Sequence, residues 1–278
     1  MAQRILLALD GTPSGTAAVD WALDWAGRSG GVPIGLAVIP EPLIRRPEAV
    51  PIGGSHYKAR RDTVLIARAR QIAAELLARF EARCTEAGIP YHMMERTGVP
   101  LTEITREAHG VDLVVVGRDT DFAWRQHGAD RALGRLLRYM PRPVLAVPEH
   151  FPHRGPVLVV YDGSVRAARA LYAFIHSGLS DQREVRLLPA RATSARATVQ
   201  TERACAFLQA HGIRSELLQA GRQAARSAAD TILHVTTDTA ACLLVLGVTA
   251  PSALRSLLGS STARAVLRQT PVPVFLFG

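Results

Sequence analysis

Apolar residues in this chain fall into short unbroken runs, separated by longer stretches in which they recur every three or four positions. The runs in the first half are Arg4 to Leu9, Gly35 to Ile39, Ile89 to Glu95, Leu113 to Val116 and Val144 to Val147. Short runs rich in branched residues and bounded by turn formers predict strands. Their lack of alternation predicts burial on both faces, as in a parallel sheet covered by helices on both sides. The intervening stretches supply the helices. Thr12-Pro13-Ser14 opens one whose stripe is Ala17, Ala18, Trp21, Ala22 and Trp25. Thr12 or Ser14 is its cap, and proline is tolerated in a first turn. A long amphipathic helix is expected from Lys58 to Ala87, stopping at Gly88, with further helices at Pro100 to His109 and around Asp130 to Tyr139. Residues 41–57 are rich in proline and glycine and predict a loop, either a lid or partner surface or a plain excursion.

The pattern then repeats. Ile5-Leu6-Leu7-Ala8-Leu9-Asp10-Gly11-Thr12 lies over Val157-Leu158-Val159-Val160-Tyr161-Asp162-Gly163-Ser164 at an offset of 152 residues. Near the ends of the copies the offset falls to 130, with Val111 to Gly117 over Ala241 to Gly247 and Pro141 to Val144 over Pro271 to Val274. The second half therefore has strands at Val157 to Val160, Val185 to Leu188, Ile213 to Leu218, Leu243 to Leu246 and Val274 to Phe277. A repeat of this length is a duplicated domain rather than a solenoid unit. The reading is two α/β domains, 1–149 and 155–278, each a doubly wound five-stranded parallel sheet, joined by a Pro148 to Pro156 linker. The last strands, with apolar side chains and exposed edges, are expected to pair with each other and make a pseudo-dimer.

Such sheets bind ligands beyond the carboxyl ends of their strands, where strand order reverses. In each half two turns qualify. One follows the first strand, at Asp10-Gly11-Thr12 or Asp162-Gly163-Ser164; the other follows the fourth, from Gly117 or Gly247. The helix that follows each turn offers unpaired amides and a positive dipole end, which suit phosphate.

These motifs resemble the universal stress proteins in their tandem form. Members begin with a strand ending Val-Asp-Gly-Ser and an alanine-rich helix. They continue through a Gly-x-Pro turn, here Gly98-Val99-Pro100 in the first half only. An Asp-Leu-Ile-Val-Met-Gly-like strand then leads to the ATP pattern Gly-x2-Gly-x9-Gly-Ser/Thr and a closing Pro-x-Pro-Val-Leu-Val-Val. The resemblance covers nearly the whole chain. It implies a Rossmann-like fold, adenine-nucleotide binding, with Mg as a candidate companion, and a regulatory rather than catalytic role.

The two halves depart from the ATP pattern differently. In the second, Gly247 and Gly259-Ser260-Ser261 fit, but Ala250 replaces a glycine and eight residues rather than nine separate it from Gly259. In the first, Thr120 replaces the second glycine and Ala129-Asp130 the final pair, with Asp119 and Asp121 close by. From Thr239 to the end there is no Asp or Glu, while Arg255, Arg264 and Arg268 are present. An acid-free surround favours phosphate. The second half is therefore the expected nucleotide site, through Tyr161, Asp162, Gly163, Ser164, Ala190, Gly247, Thr249, Ala250, Gly259, Ser260 and Ser261. The alternative is that Gly259-Ser260-Ser261 only caps a helix and the chain is an interaction protein. A third reading is a slow nucleotide hydrolase, but no pair of acids or base-and-orienter set stands in these turns.

Composition narrows the partners. The net charge of +9 comes mostly from dispersed arginines, and aromatics are 5%, so nucleic acid is not an expected partner. No apolar run approaches the roughly 20 residues of a membrane span. The amino terminus runs straight into a strand instead of a secretory leader. Three scattered cysteines, Cys84, Cys205 and Cys242, predict reduced thiols and a cytoplasmic setting. His150 and His153 have no neighbouring ligand cluster, so no metal site is expected. The expected partners are an adenine nucleotide and an unidentified protein, and a further homodimer is compatible with the pseudo-dimer.

Overall fold

The computed structural model describes residues 4–49, 51, 54–120, 129–180, 183–190, 195–218, 227–248 and 261–278, without the side chains of 129–131, 195–198 and 261. The first half forms β1 (Arg4–Ala8), α1 (Pro13–Ser29), β2 (Val32–Ile39), α2 (Glu41–Ile44), α3 (Ser55–Glu86), β3 (His92–Thr97), α4 (Pro100–Ala108), β4 (Leu113–Gly117), α5 (Ala129–Tyr139) and β5 (Val144–Val147). The second forms β6 (Val157–Tyr161), α6 (Val165–His176), β7 (Val185–Pro189), α7 (Ala195–Ala210), β8 (Ser215–Leu217), α8 (Ala228–Asp238), β9 (Leu243–Gly247), α9 (Ser261–Gln269) and β10 (Val274–Phe277).

The ten strands among the described residues belong to one sheet, in the order β3-β2-β1-β4-β5-β10-β9-β6-β7-β8. Read from either edge, the order is the same after exchange of the two repeats. Neighbours within each half are parallel. The join is antiparallel, with Leu145 opposite Phe275 and Ala146 opposite Val274. Val144, Leu145, Ala146, Val274, Phe275 and Leu276 are all fully buried, at 0% exposure. The last strand of each half would otherwise present open backbone groups and bare apolar side chains; pairing removes both costs.

Helices α1, α3, α6 and α7 pack on one face of the sheet and α4, α5, α8 and α9 on the other. Thr12 caps α1 through the Gly15 amide, and Ser164 caps α6 through the Ala167 amide. The predicted stripe of α1 is buried, with Trp25 at 2% exposure. Two expectations need correction. Residues 41–57 are not wholly loop: Glu41–Ile44 is a helical turn, and α3 starts at Ser55, before Lys58. Ile44 explains the turn, since it is buried with Ala37, Ile39 and Ile66 under α3. Strand β3 lies later than the apolar residues suggested. Ile89 does not open it but is bonded back through its N–H to the Cys84 carbonyl. As an edge strand β3 is half exposed, so polar residues serve.

All three cysteines are free thiols and buried. Burial pushes their pKa values up, Cys84 to about 11. The His150 side chain is 91% exposed, and no group of three or more potential metal ligands is gathered among the described residues. No described helix is long and apolar enough to cross a membrane.

Candidate functional site

Strand order reverses between β1 and β4 in the first half and between β6 and β9 in the second, so each half has one crevice at the carboxyl ends of these pairs. An aspartate closes the first strand in both. Gly11 and Gly163 follow at φ +73° and +72°, which lets the chain turn at once into the helix.

In the first half the crevice is occupied by the chain itself. Asp10 Oδ1 accepts from the Thr12 amide at 3.0 Å and from the Thr12 hydroxyl at 2.8 Å. Asp10 Oδ2 accepts from the Thr120 hydroxyl at 2.5 Å. Thr120 is 0% exposed. The neighbouring Asp119 amide donates to Ser14 Oγ at 3.1 Å, which holds the segment after β4 against α1. Beside this lock, a cleft of about 80 Å³ lies at the ends of β1 and β2, under α3 and α4.

In the second half Asp162 is exposed. Its Oδ1 accepts from the Ser164 amide at 2.9 Å, and no other partner stands on its carboxylate among the described residues. Gly247 ends β9, next to β6, and its bare Cα abuts the start of α6: a Cβ there would lie 2.7 Å from the Ala167 amide nitrogen. Neither α6 nor α9 has an acid in its first turn, so both amino termini keep their positive character.

The predicted set divides into three groups. Asp162, Gly163, Ser164 and Gly247 converge on the crevice, with the Ala190 amide bonded to the Tyr161 carbonyl at 2.9 Å along its edge. The Tyr161 ring belongs to the core instead, at 9% exposure; burial first, then the Asp162 charge, raises its phenol pKa. Thr249, Ala250, Gly259 and Ser260 lie outside the described residues, and Ser261 is placed only as the first residue of α9.

Two contacts were not legible in advance. Gln200 of α7 packs its amide oxygen over Gly163, 1.7 Å from where a Cβ would stand, so a side chain at 163 would have to displace that flexible amide. Nothing marks Gln200 within a helical run. The second is Arg118, which donates to the Thr270 carbonyl at 2.6 Å and ties the fourth-strand turn of the first half to the second half.

Comparison with known proteins places these features. The profile of the universal stress protein family matches residues 1–148 and again 153–277. The chain is 29% identical over 219 residues to universal stress protein Slr1230 of Synechocystis, covering 74% of this chain and 72% of that protein. Among solved structures, a universal stress protein from Archaeoglobus fulgidus superposes with a TM-score of 0.70 at 19% identity, over 98% of this chain and 97% of its own. A protein of unknown function from Pseudomonas aeruginosa superposes at 0.53 and 19%, over 99% and 92%. At these identities the structures speak for the fold.

Proposed function

Because this chain belongs to the universal stress protein family, with two of its domains in tandem, we propose that it is a regulatory stress-response protein whose C-terminal half binds ATP or a related adenine nucleotide. The domains in this reading are 1–149 and 155–278.

The observation that carries the assignment is the contrast between the two aspartates. Asp10 has three donors from its own chain on its carboxylate. Among the described residues Asp162 has one, the Ser164 amide, and it is exposed. A carboxylate at a strand end, beside a switch point, suits the hydroxyls of a ribose. The phosphates would then lie between Gly247 and the start of α9, near Gly259, Ser260 and Ser261, where the sequence has no acid. With phosphates there, a Mg ion would be their companion, and Asp162 is the carboxylate at the crevice that would face it. No base stands beside Asp162 among the described residues, so bound nucleotide acts here as a ligand that biases conformation or partner choice. Nucleotide identified by mass spectrometry in protein denatured after purification tests this; calorimetry with no ATP binding at millimolar ligand contradicts it.

A second reading keeps the fold and the regulatory role but drops the nucleotide. Ala250 and the eight-residue gap to Gly259 favour it. It is the reading left standing if the titration is silent.

A further inference from the structure

The outer surface of the C-terminal half carries rings where the N-terminal half carries ions. We propose that the seam between α6 and α7 is a docking surface for an acidic peptide segment with aromatic or aliphatic side chains. The inference stands whether or not nucleotide binds in the same half.

The two repeats differ at this seam. In the first half Asp20 of α1 pairs with Arg83 of α3 across the gap between the helices, and Asp24 pairs with Arg28. At the 152-residue offset Tyr172 stands in the place of Asp20 and His176 in that of Asp24. Gly88 and Gly212, both at positive φ, follow α3 and α7; aligned on them, Phe207 stands in the place of Arg83. Solvent-facing ion pairs have thus given way to rings. The Tyr172 ring stacks on His176 at 4.0 Å, His176 meets His211 edge-on at 5.9 Å, and His211 meets Phe207 edge-on at 4.6 Å. The His176 Nδ1–H donates to the Tyr172 carbonyl at 2.8 Å and holds the stack. Tyr172 is 56% exposed and Phe207 37%, and the exposed Val165 and Val199 extend the apolar surface along the same two helices. Covering such a row of rings with an apolar side chain releases the water around it.

Charge selects the occupant. Arg169 lies one turn before Tyr172 and Arg203 one turn before Phe207, and both are exposed. Helix α6 has no acid; Glu202 is the one acid of α7, on a side of that helix turned away from Phe207. A second copy meeting this face by two-fold symmetry would set arginine against arginine. An acidic segment meets complementary charge instead. Nucleic-acid bases are served less well, because Tyr172 and His176 already cover one face of each other.

A fluorescein-labelled peptide of repeated Glu-Phe-Asp-Leu is the probe, read by fluorescence anisotropy with the full chain. Saturable binding is expected. It should be absent when Lys replaces the acids or Ser replaces the apolar residues. Tyr172→Asp combined with Phe207→Arg installs the ion pair that the first half already carries, so fold and net charge are kept. The pair of substitutions is expected to weaken binding at least about tenfold. Arg169→Glu should do the same, while Tyr139→Asp, at an equally exposed ring elsewhere, should leave binding unchanged. Neither oligothymidine nor phosphatidylserine vesicles should compete. The proposal is overturned if the peptide does not bind, or if the Lys or Ser peptide binds as well. It is also overturned if binding survives the paired substitution or Arg169→Glu, if Tyr139→Asp abolishes it, or if either competitor displaces the peptide.

Discussion

The Thr120 hydroxyl donates to the Asp10 carboxylate across 110 residues of sequence. This bond closes the crevice between β1 and β4, and it decides how position 120 responds to substitution. Thr120→Val keeps the shape but leaves Asp10 Oδ2 without its donor, so stability should fall by about 1–3 kcal/mol. Thr120→Ser should stay within about 0.5 kcal/mol. Urea denaturation of both variants checks this. Thr120→Asp would set a second carboxylate against Asp10 and should destabilise the fold more than Thr120→Val does.

The β5–β10 join should make the two halves unfold as one. Phe275 sits at the join, fully buried, with its ring edge-on to Phe174 at 6.0 Å. Phe275→Ala should cost about 3–5 kcal/mol through lost contacts and a cavity. Calorimetric melting of the unmutated protein should show one transition, shifted down as a whole in the variant. Two separate transitions, only one of them shifted, would contradict the continuous sheet.

Buried thiols predict an alkaline weakness. Cys84 is 0% exposed, and burial lifts its pKa from 9.0 to about 11. The folded state then holds the thiol proton more tightly than the unfolded chain. Its stabilising effect is complete below about pH 9 and is lost as pH rises towards 11. Two units correspond to roughly 3 kcal/mol. Urea stability should fall more steeply from pH 9 to 11 in the unmutated protein than in Cys84→Ala. Parallel profiles would refute the assignment.

Much of the fold was legible because the signals were local. Strands β5 and β10 match their predicted limits to the residue, since a four-residue apolar run follows a proline in each case. The Thr12 cap and the α1 stripe follow from chemistry within one or two turns. Strand β3 was misjudged because its edge position relaxes the apolar pattern, while Ile89, apolar in sequence, anchors the end of α3 instead. In the candidate site, Asp162 and Gly247 could be named from glycine and acid placement after apolar runs. The Asp10–Thr120 lock could not: both residues are polar, they are far apart in sequence, and only the folded crevice brings them together. Gln200 was hidden for the same reason.

Titration of ATP into the full chain by calorimetry, repeated with Ser260→Asp, tests the account most directly. One ATP should bind per chain. The substitution should weaken it by about 1–3 kcal/mol, as a carboxylate replaces a hydrogen bond to a charged group. The melting temperature should hold, since Asp caps a helix about as well as Ser. No heat at millimolar ATP or an affinity untouched by Ser260→Asp would contradict a nucleotide site in the C-terminal half, and two equivalents per chain would contradict binding confined to it.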